Sequence, residues 1–177
     1  MYKIMITTAL ILPSTLFAAG SGDSGAPATT ETTTTCKGVM VWSDAKGKCV
    51  SPESGALNDD QLYHAARELA YAGEYDATLA ILAAMSNQTD DRVLTYKGFV
   101  HRKLGEIELG NSYYMQAIAR NPDNLLARSY MGQGFVASGD MVAALEQLRE
   151  IRTRNGIDTW PEVSLRNAIE TGATYSY

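Results

Sequence analysis

The chain has 177 residues, 45% hydrophobic and 20% charged, with 15 Lys and Arg against 20 Asp and Glu. A formal net charge of −5 speaks against a nucleic-acid partner, because phosphate binding needs clustered positive charge. Two histidines and two cysteines leave too few ligands for a transition-metal site built by this chain alone.

Lys3 precedes an apolar stretch from Ile4 to Leu12, then Pro13 and the small residues Ala18, Ala19 and Gly20. This pattern predicts a signal peptide over 1–19, which places the mature chain in the periplasm or outside the cell. The apolar run is shorter than the roughly 20 residues that span a bilayer, and no later segment could cross one. Residues 20–35 read GSGDSGAPATTETTTT, with no apolar residue larger than Ala or Pro. Such a segment cannot bury enough surface to offset its ordering entropy, so a disordered Thr-rich linker is predicted.

Residues 36–50 form a small loop framed by Cys36 and Cys49. In an oxidising compartment the pair is predicted to be bridged, which would stabilise the loop by about 3 kcal/mol in the chain-entropy model. Val39, Val41 and Trp42 read as a short strand, and Ser43 to Gly47 as a turn. Trp42 has two readings: the core of a tiny loop, or an exposed ring on which sugar stacks. The absence of Cys-x-x-Cys removes thioredoxin-like and haem-attachment chemistry. Residues 51–58 connect this head to the rest of the chain.

From residue 59 a pattern recurs. Ala72-Gly73-Glu74-Tyr75, Leu104-Gly105-Glu106-Ile107 and Ser138-Gly139-Asp140-Met141 are the same turn, spaced by 32 and 34 residues. Gly suits the left-handed residue that ends a helix, and the acidic residue suits the cap of the next. Seven positions before each turn Gly stand Ala66, Gly98 and Gly132, small enough for a partner helix to approach closely. Met85, Ala117 and Ile151 stand twelve positions after it. Asn121-Pro122-Asp123 ends a unit where Pro cannot continue a helix.

This spacing resembles the tetratricopeptide repeat family, whose 34-residue unit is a pair of antiparallel helices. The units are 59–90, 91–124 and 125–156. Lys97, His101 and Arg128 depart from the apolar or aromatic residues that the family usually carries there. The resemblance implies an all-α fold of three stacked helix-turn-helix units over 59–156. Residues 157–177 would add a capping helix and tail. Helical spacing supports the map: Leu62, Ala65, Ala66 and Leu69 on the first helix, and Val142, Leu145, Leu148 and Ile151 on the sixth. Asn58-x-x-Gln61 reads as a cap pair, and Thr159-x-x-Glu162 as a capping box with Pro161 in the first turn. Val163, Leu165, Ala168 and Ile169 would then cover the open face of the last helix pair.

No catalytic constellation is legible. His64 and His101 stand 37 residues apart, and no Walker loop, G-x-S-x-G or H-E-x-x-H occurs. Asp59-Asp60 and Asp90-Asp91 suit helix starts, where negative charge meets the helix dipole. No cofactor and no metal is expected, and the chain does not read as an enzyme.

The resemblance implies a concave groove lined by the first helix of each unit. Its candidate partner-binding residues are Tyr63, Arg67, Tyr71, Arg92, Phe99, Arg102, Lys103 and Gln133. The middle set is cationic and aromatic, which suggests an acidic segment of a protein or peptide partner. The leading functional expectation is an exported interaction module, an adaptor or scaffold. The first alternative is an adaptor tethered to cell-wall glycan through the Cys36–Cys49 head. The second is an enzyme with an unrecognised site.

Overall fold

The computed structural model describes residues 27–174, so the expected signal peptide lies outside the described residues. The elements in chain order are α1 (Glu31–Thr34), β1 (Val41–Ser43), β2 (Lys48–Val50), a 3-10 turn (Pro52–Ser54), α2 (Asp59–Ala72) and α3 (Tyr75–Ala84). They continue with α4 (Asp91–Lys103), α5 (Ile107–Arg120), α6 (Leu125–Ser138), α7 (Met141–Thr153) and α8 (Trp160–Thr171). The described residues are thus mostly helical, with one small hairpin, β1–β2, near their start. Among the described residues, no helix is long and apolar enough to cross a membrane.

Local chemistry sets the helix boundaries. Asn58 and Gln61 form a reciprocal capping box, Oδ1 of Asn58 accepting from Gln61 N at 2.9 Å and Gln61 Oε1 from Asn58 N at 3.0 Å. Asp90 caps α4 through Arg92 N at 2.9 Å, and Asn124 caps α6 through Ala127 N at 2.8 Å. The three recurring turns each carry a glycine of positive φ: Gly73 at 82°, Gly105 at 87° and Gly139 at 82°. Each turn closes with the same backbone bond, from Glu74 N to Leu69 O, Glu106 N to His101 O and Asp140 N to Phe135 O, all 2.9 Å. Of the three acidic residues beside these glycines, only Asp140 caps the next helix with its side chain. Glu is a methylene longer than the cap geometry favours, and neither Glu74 nor Glu106 makes that bond.

Small residues decide how closely the helices pack. A Cβ added at Gly98 of α4 would fall 2.7 Å from the Tyr114 ring and 3.0 Å from Gly110 O of α5. The reciprocal Cβ at Gly110 would fall 2.9 Å from Gly98 O. The α4–α5 pair therefore meets backbone to backbone. At Gly132 of α6 the added atom would strike Leu165 of α8 at 2.7 Å. Leu165 and Ala168 join Ala144, Leu148 and Ile151 in one buried cluster, with Ile169 packed partly against it and Val163 outside it, so α8 lies against α6 and α7. Its cap differs from the expected box: Thr159 Oγ1 donates to Gly156 O instead, and Glu162 is buried against Arg152. Asn155 and Asp158, with φ of 59° and 61°, are left-handed in the loop that precedes α8.

At the N-terminus the structure departs from the expected linker and isolated head. Residues 30–35 are not a flexible tether. Thr30 caps α1 and donates from N to Glu68 Oε1 at 2.6 Å and from Oγ1 to Glu68 Oε2 at 2.7 Å, while Thr33 Oγ1 donates to the same carboxylate. Glu68 sits on the buried side of α2, so a Thr-rich segment without apolar bulk docks through a backbone N–H and two hydroxyls on one carboxylate, with Thr32 buried beside them. The Cys36–Cys49 disulfide is formed, with Cα atoms 5.7 Å apart, and Cys49 stands opposite Trp42 in the antiparallel β1–β2 pair. Strand alternation sends Val41, 1% exposed, into the main core and leaves Trp42 half-buried, with Nε1 donating to Asp44 Oδ1 at 2.9 Å. Val41, not Trp42, is the apolar anchor of the head.

Replacing Gly98 by Ala forces the α4–α5 pair apart. Urea unfolding is expected to show a loss of about 1–3 kcal/mol or more, in line with overpacking of a filled core. An unchanged midpoint would mean that the two backbones do not meet there.

Candidate functional site

The inner faces of α2, α4 and α6 carry the residues that the sequence places in an open groove. Most of them are buried. Tyr63 is 1% exposed, Arg67 4%, Tyr71 7%, Phe99 3%, Arg102 8% and Gln133 2%. Only Arg92 and Lys103 keep a substantial share of solvent. The reason is the size of these side chains, which meet across the helices instead of lining a channel. Tyr63 packs edge-on against Tyr96 at 5.7 Å, and Tyr71 stacks on Phe99 at 5.8 Å with 3° between planes. Tyr130 lies 5.1 Å from Phe99 and 6.1 Å from Tyr96.

The polar tips inside this cluster are paired. Arg67 Nε donates to Tyr96 OH at 3.2 Å, and the hydroxyls of Tyr71 and Tyr130 bond to each other. Burial pushes the Tyr96, Tyr114 and Tyr130 phenols above their ordinary value, because a phenolate would lose its hydration there. Sequence reasoning named neither Tyr96 nor Tyr130. They stand 34 residues apart, the spacing of the turn glycines, and that recurrence is the signal that could have found them.

Gln133 belongs to another arrangement. Its Nε2 donates to Ser129 Oγ at 3.3 Å and to Ser164 Oγ at 3.5 Å, and the two serine hydroxyls are 3.0 Å apart. The α8 helix has therefore taken the place beside α6 where Gln133 was expected to face an open groove.

What stays open is a cleft of about 390 Å³ lined from α2, α4, α6 and α8. Of the predicted residues, only Tyr63 and Arg92 line it, joined by Asp91, Asn121, Asn124 and Asn155. The Arg92 guanidinium lies 4.8 Å above the Tyr63 ring. It is neutralised twice, Nη1 donating to Asp60 Oδ1 at 2.8 Å and Nη2 to Asp90 Oδ2 at 3.0 Å. Those bonds, that to Asp90 foremost, raise its pKa above the ordinary arginine value. Asp91 Oδ2 accepts from Asn121 Nδ2 and Asn124 Nδ2, both at 2.8 Å. Its one lining arginine is already paired, and of its two lining carboxylates Asp123 lies 3.5 Å from Arg154 Nε while Asp91 meets only asparagine amides, so the lining carries no unpaired cation. The positive potential expected from the sequence is not found here. Asn155, exposed and at φ 59°, forms the rim contributed by the α7–α8 loop.

Among the described residues no group of three or more His, Cys, Asp or Glu could hold a metal ion. His101 Nδ1 pairs with Glu106 Oε2 at 2.5 Å and its ring stacks on Tyr113. No protein-family model, curated protein or solved structure matches the chain.

Burial raises the Asp90 carboxyl, but hydrogen bonds and charge from Arg92 outweigh that and hold its pKa below the usual carboxylate value. A depressed folded pKa means that this carboxylate stabilises the fold above roughly pH 4 and loses that contribution as pH falls through its folded value. Asp90→Asn keeps a capping side chain and removes the titration. Its unfolding free energy between pH 4 and 2 is expected to fall less steeply than that of the wild type. Parallel acid limbs would show that Asp90 is not coupled to Arg92.

Proposed function

We propose that the protein is an exported, non-catalytic interaction module of the tetratricopeptide type. In this reading it acts as an adaptor or scaffold and docks a segment of a protein partner on its concave face. The observation that supports it most is the recurrence of one turn: Gly73, Gly105 and Gly139 share a φ near 85° and the same closing bond. Stacked helix pairs of this kind serve recognition through an extended concave surface. The Cys36–Cys49 bridge agrees with residence in a periplasmic or extracellular compartment. The docking place differs from the one the sequence suggested. With Arg67, Tyr71 and Phe99 packed into the core, a partner enters at the cleft bounded by Asp91, Arg92 and Asn155.

Site-specific photo-crosslinking in envelope extract tests this reading. A photoreactive residue at Asn155, on the rim of the cleft, is expected to trap a partner in specific yield. The same residue at Met115, 58% exposed on α5 away from the cleft, is expected to trap none. Equal yields from both positions, or none from either, would sink the assignment.

A further inference from the structure

We infer that the cleft between the disulfide-tied hairpin and α2 is a carbohydrate subsite, with Trp42 as the stacking ring for a neutral, gluco-configured sugar residue. The inference goes beyond the docking reading and does not depend on it, since this cleft and the one beside Arg92 share no lining residue.

Trp42 is the carrying observation. Strand alternation puts Val41 and Ser43, 1% and 0% exposed, on the inner face of the hairpin, and the buried Val50 pairs with Val41 there. That face is filled without the indole, which stays half-buried on the other one. Its Nε1 is taken up by Asp44 Oδ1 at 2.9 Å, so what the ring still offers is apolar surface held in one orientation. Trp42 N also donates to Thr32 Oγ1 at 3.2 Å, which ties the strand to the N-terminal segment. A large aromatic that the core does not use, fixed in the wall of an open cleft, is what a stacking ligand requires.

The rest of the lining supplies polar groups within reach of water. The cleft has a volume of about 260 Å³, below the roughly 300–1,000 Å³ of pockets for drug-sized molecules, so it takes one sugar ring of a longer chain. From α2 come Gln61 and His64, both exposed. Gln61 Oε1 is held by Asn58 N at 3.0 Å, which leaves Nε2 as the donor of a fixed amide. The His64 ring lies 5.5 Å from that of Tyr63, and its nitrogens bond to no other described residue. Glu31 and the second oxygen of Asp44, both on exposed residues, add acceptors. A pyranose has the matching form, with hydroxyls around its edge and C–H bonds on its faces. In the gluco configuration every ring hydroxyl beyond the anomeric one is equatorial, so a weakly positive C–H face is free to meet the negative face of the indole. No Lys or Arg lines the cleft, and Glu31, Asp44 and Glu68 do, so like charge works against uronates and sugar phosphates.

Saturation-transfer NMR on the full chain, disulfide intact, tests this with cellotriose, N,N′,N″-triacetylchitotriose and trigalacturonate. At least one of the two neutral trisaccharides is expected to receive saturation, strongest at its ring C–H protons, and to shift the Trp42 indole N–H resonance. Trigalacturonate, with an axial O4 and three carboxylates, is expected to receive none. His64→Ala, at an exposed position, is expected to fold as the wild type does and to bind about three- to tenfold more weakly, the loss of one hydrogen bond. Trp42→Ala is expected to abolish the transfer, and Trp42→Phe, which keeps a smaller ring in the hairpin, to retain it in weakened form. No transfer to either neutral trisaccharide, equal transfer to trigalacturonate, or wild-type affinity in His64→Ala or in Trp42→Ala would each overturn the subsite. Its failure would leave the crosslink at Asn155 untouched, and loss of that crosslink would leave the sugar response in place, so the two readings are separable.

Discussion

Ring-on-ring contact around Tyr96 and Phe99 ties α2, α4 and α6 into one body. Tyr63, Tyr71, Phe99 and Tyr130 meet at centroid distances of 5.1 to 6.1 Å, in tilted, stacked and edge-on geometries. Such pairs contribute about 0.5–1.5 kcal/mol each beyond the area they bury. They fit only if their polar tips are paired, because a buried hydroxyl or guanidinium without a partner costs more than the contact returns. The bond from Arg67 to Tyr96 and that between Tyr71 and Tyr130 meet this condition. The filled interior has wider consequences. The face that would have been a groove is core, α8 lies against α6 through Ser129 and Ser164, and open space remains at the cleft beside Arg92.

Backbone-dictated features were legible in the sequence. Gly73, Gly105 and Gly139 could be read because a left-handed helix end tolerates few other residues. Gly98 and Gly132 could be read because two helices in close contact leave no room for a Cβ. The Cys36–Cys49 bridge, the Asn58–Gln61 box and the position of α8 belong to the same group. In each case the local chain or one neighbour decides the outcome.

Burial of long polar side chains was not legible. Arg67 and Tyr71 have the composition of a binding surface, and only the positions of Tyr96, Phe99 and Tyr130 show that they face inward. Charge failed for the same reason. Arg92 counts as a free cation in a sequence, yet Asp60, 32 positions away, neutralises it in the fold. The Thr-rich segment misled through composition: without apolar bulk it looked unable to dock, while Glu68 on α2 supplies a carboxylate that three of its donors share.

The central claim is that this aromatic face is interior. Spectrophotometric titration of the tyrosines tests it most directly, because a phenol ionises near pH 10 only where water can solvate the phenolate. The chain has 10 tyrosines. With Tyr96, Tyr114 and Tyr130 shifted upward by burial, these phenols are expected to ionise after the exposed ones, above the ordinary phenol range or only as the protein unfolds in alkali. If every tyrosine ionises near pH 10 while the helices remain intact by circular dichroism, the face is open to solvent and the account is contradicted.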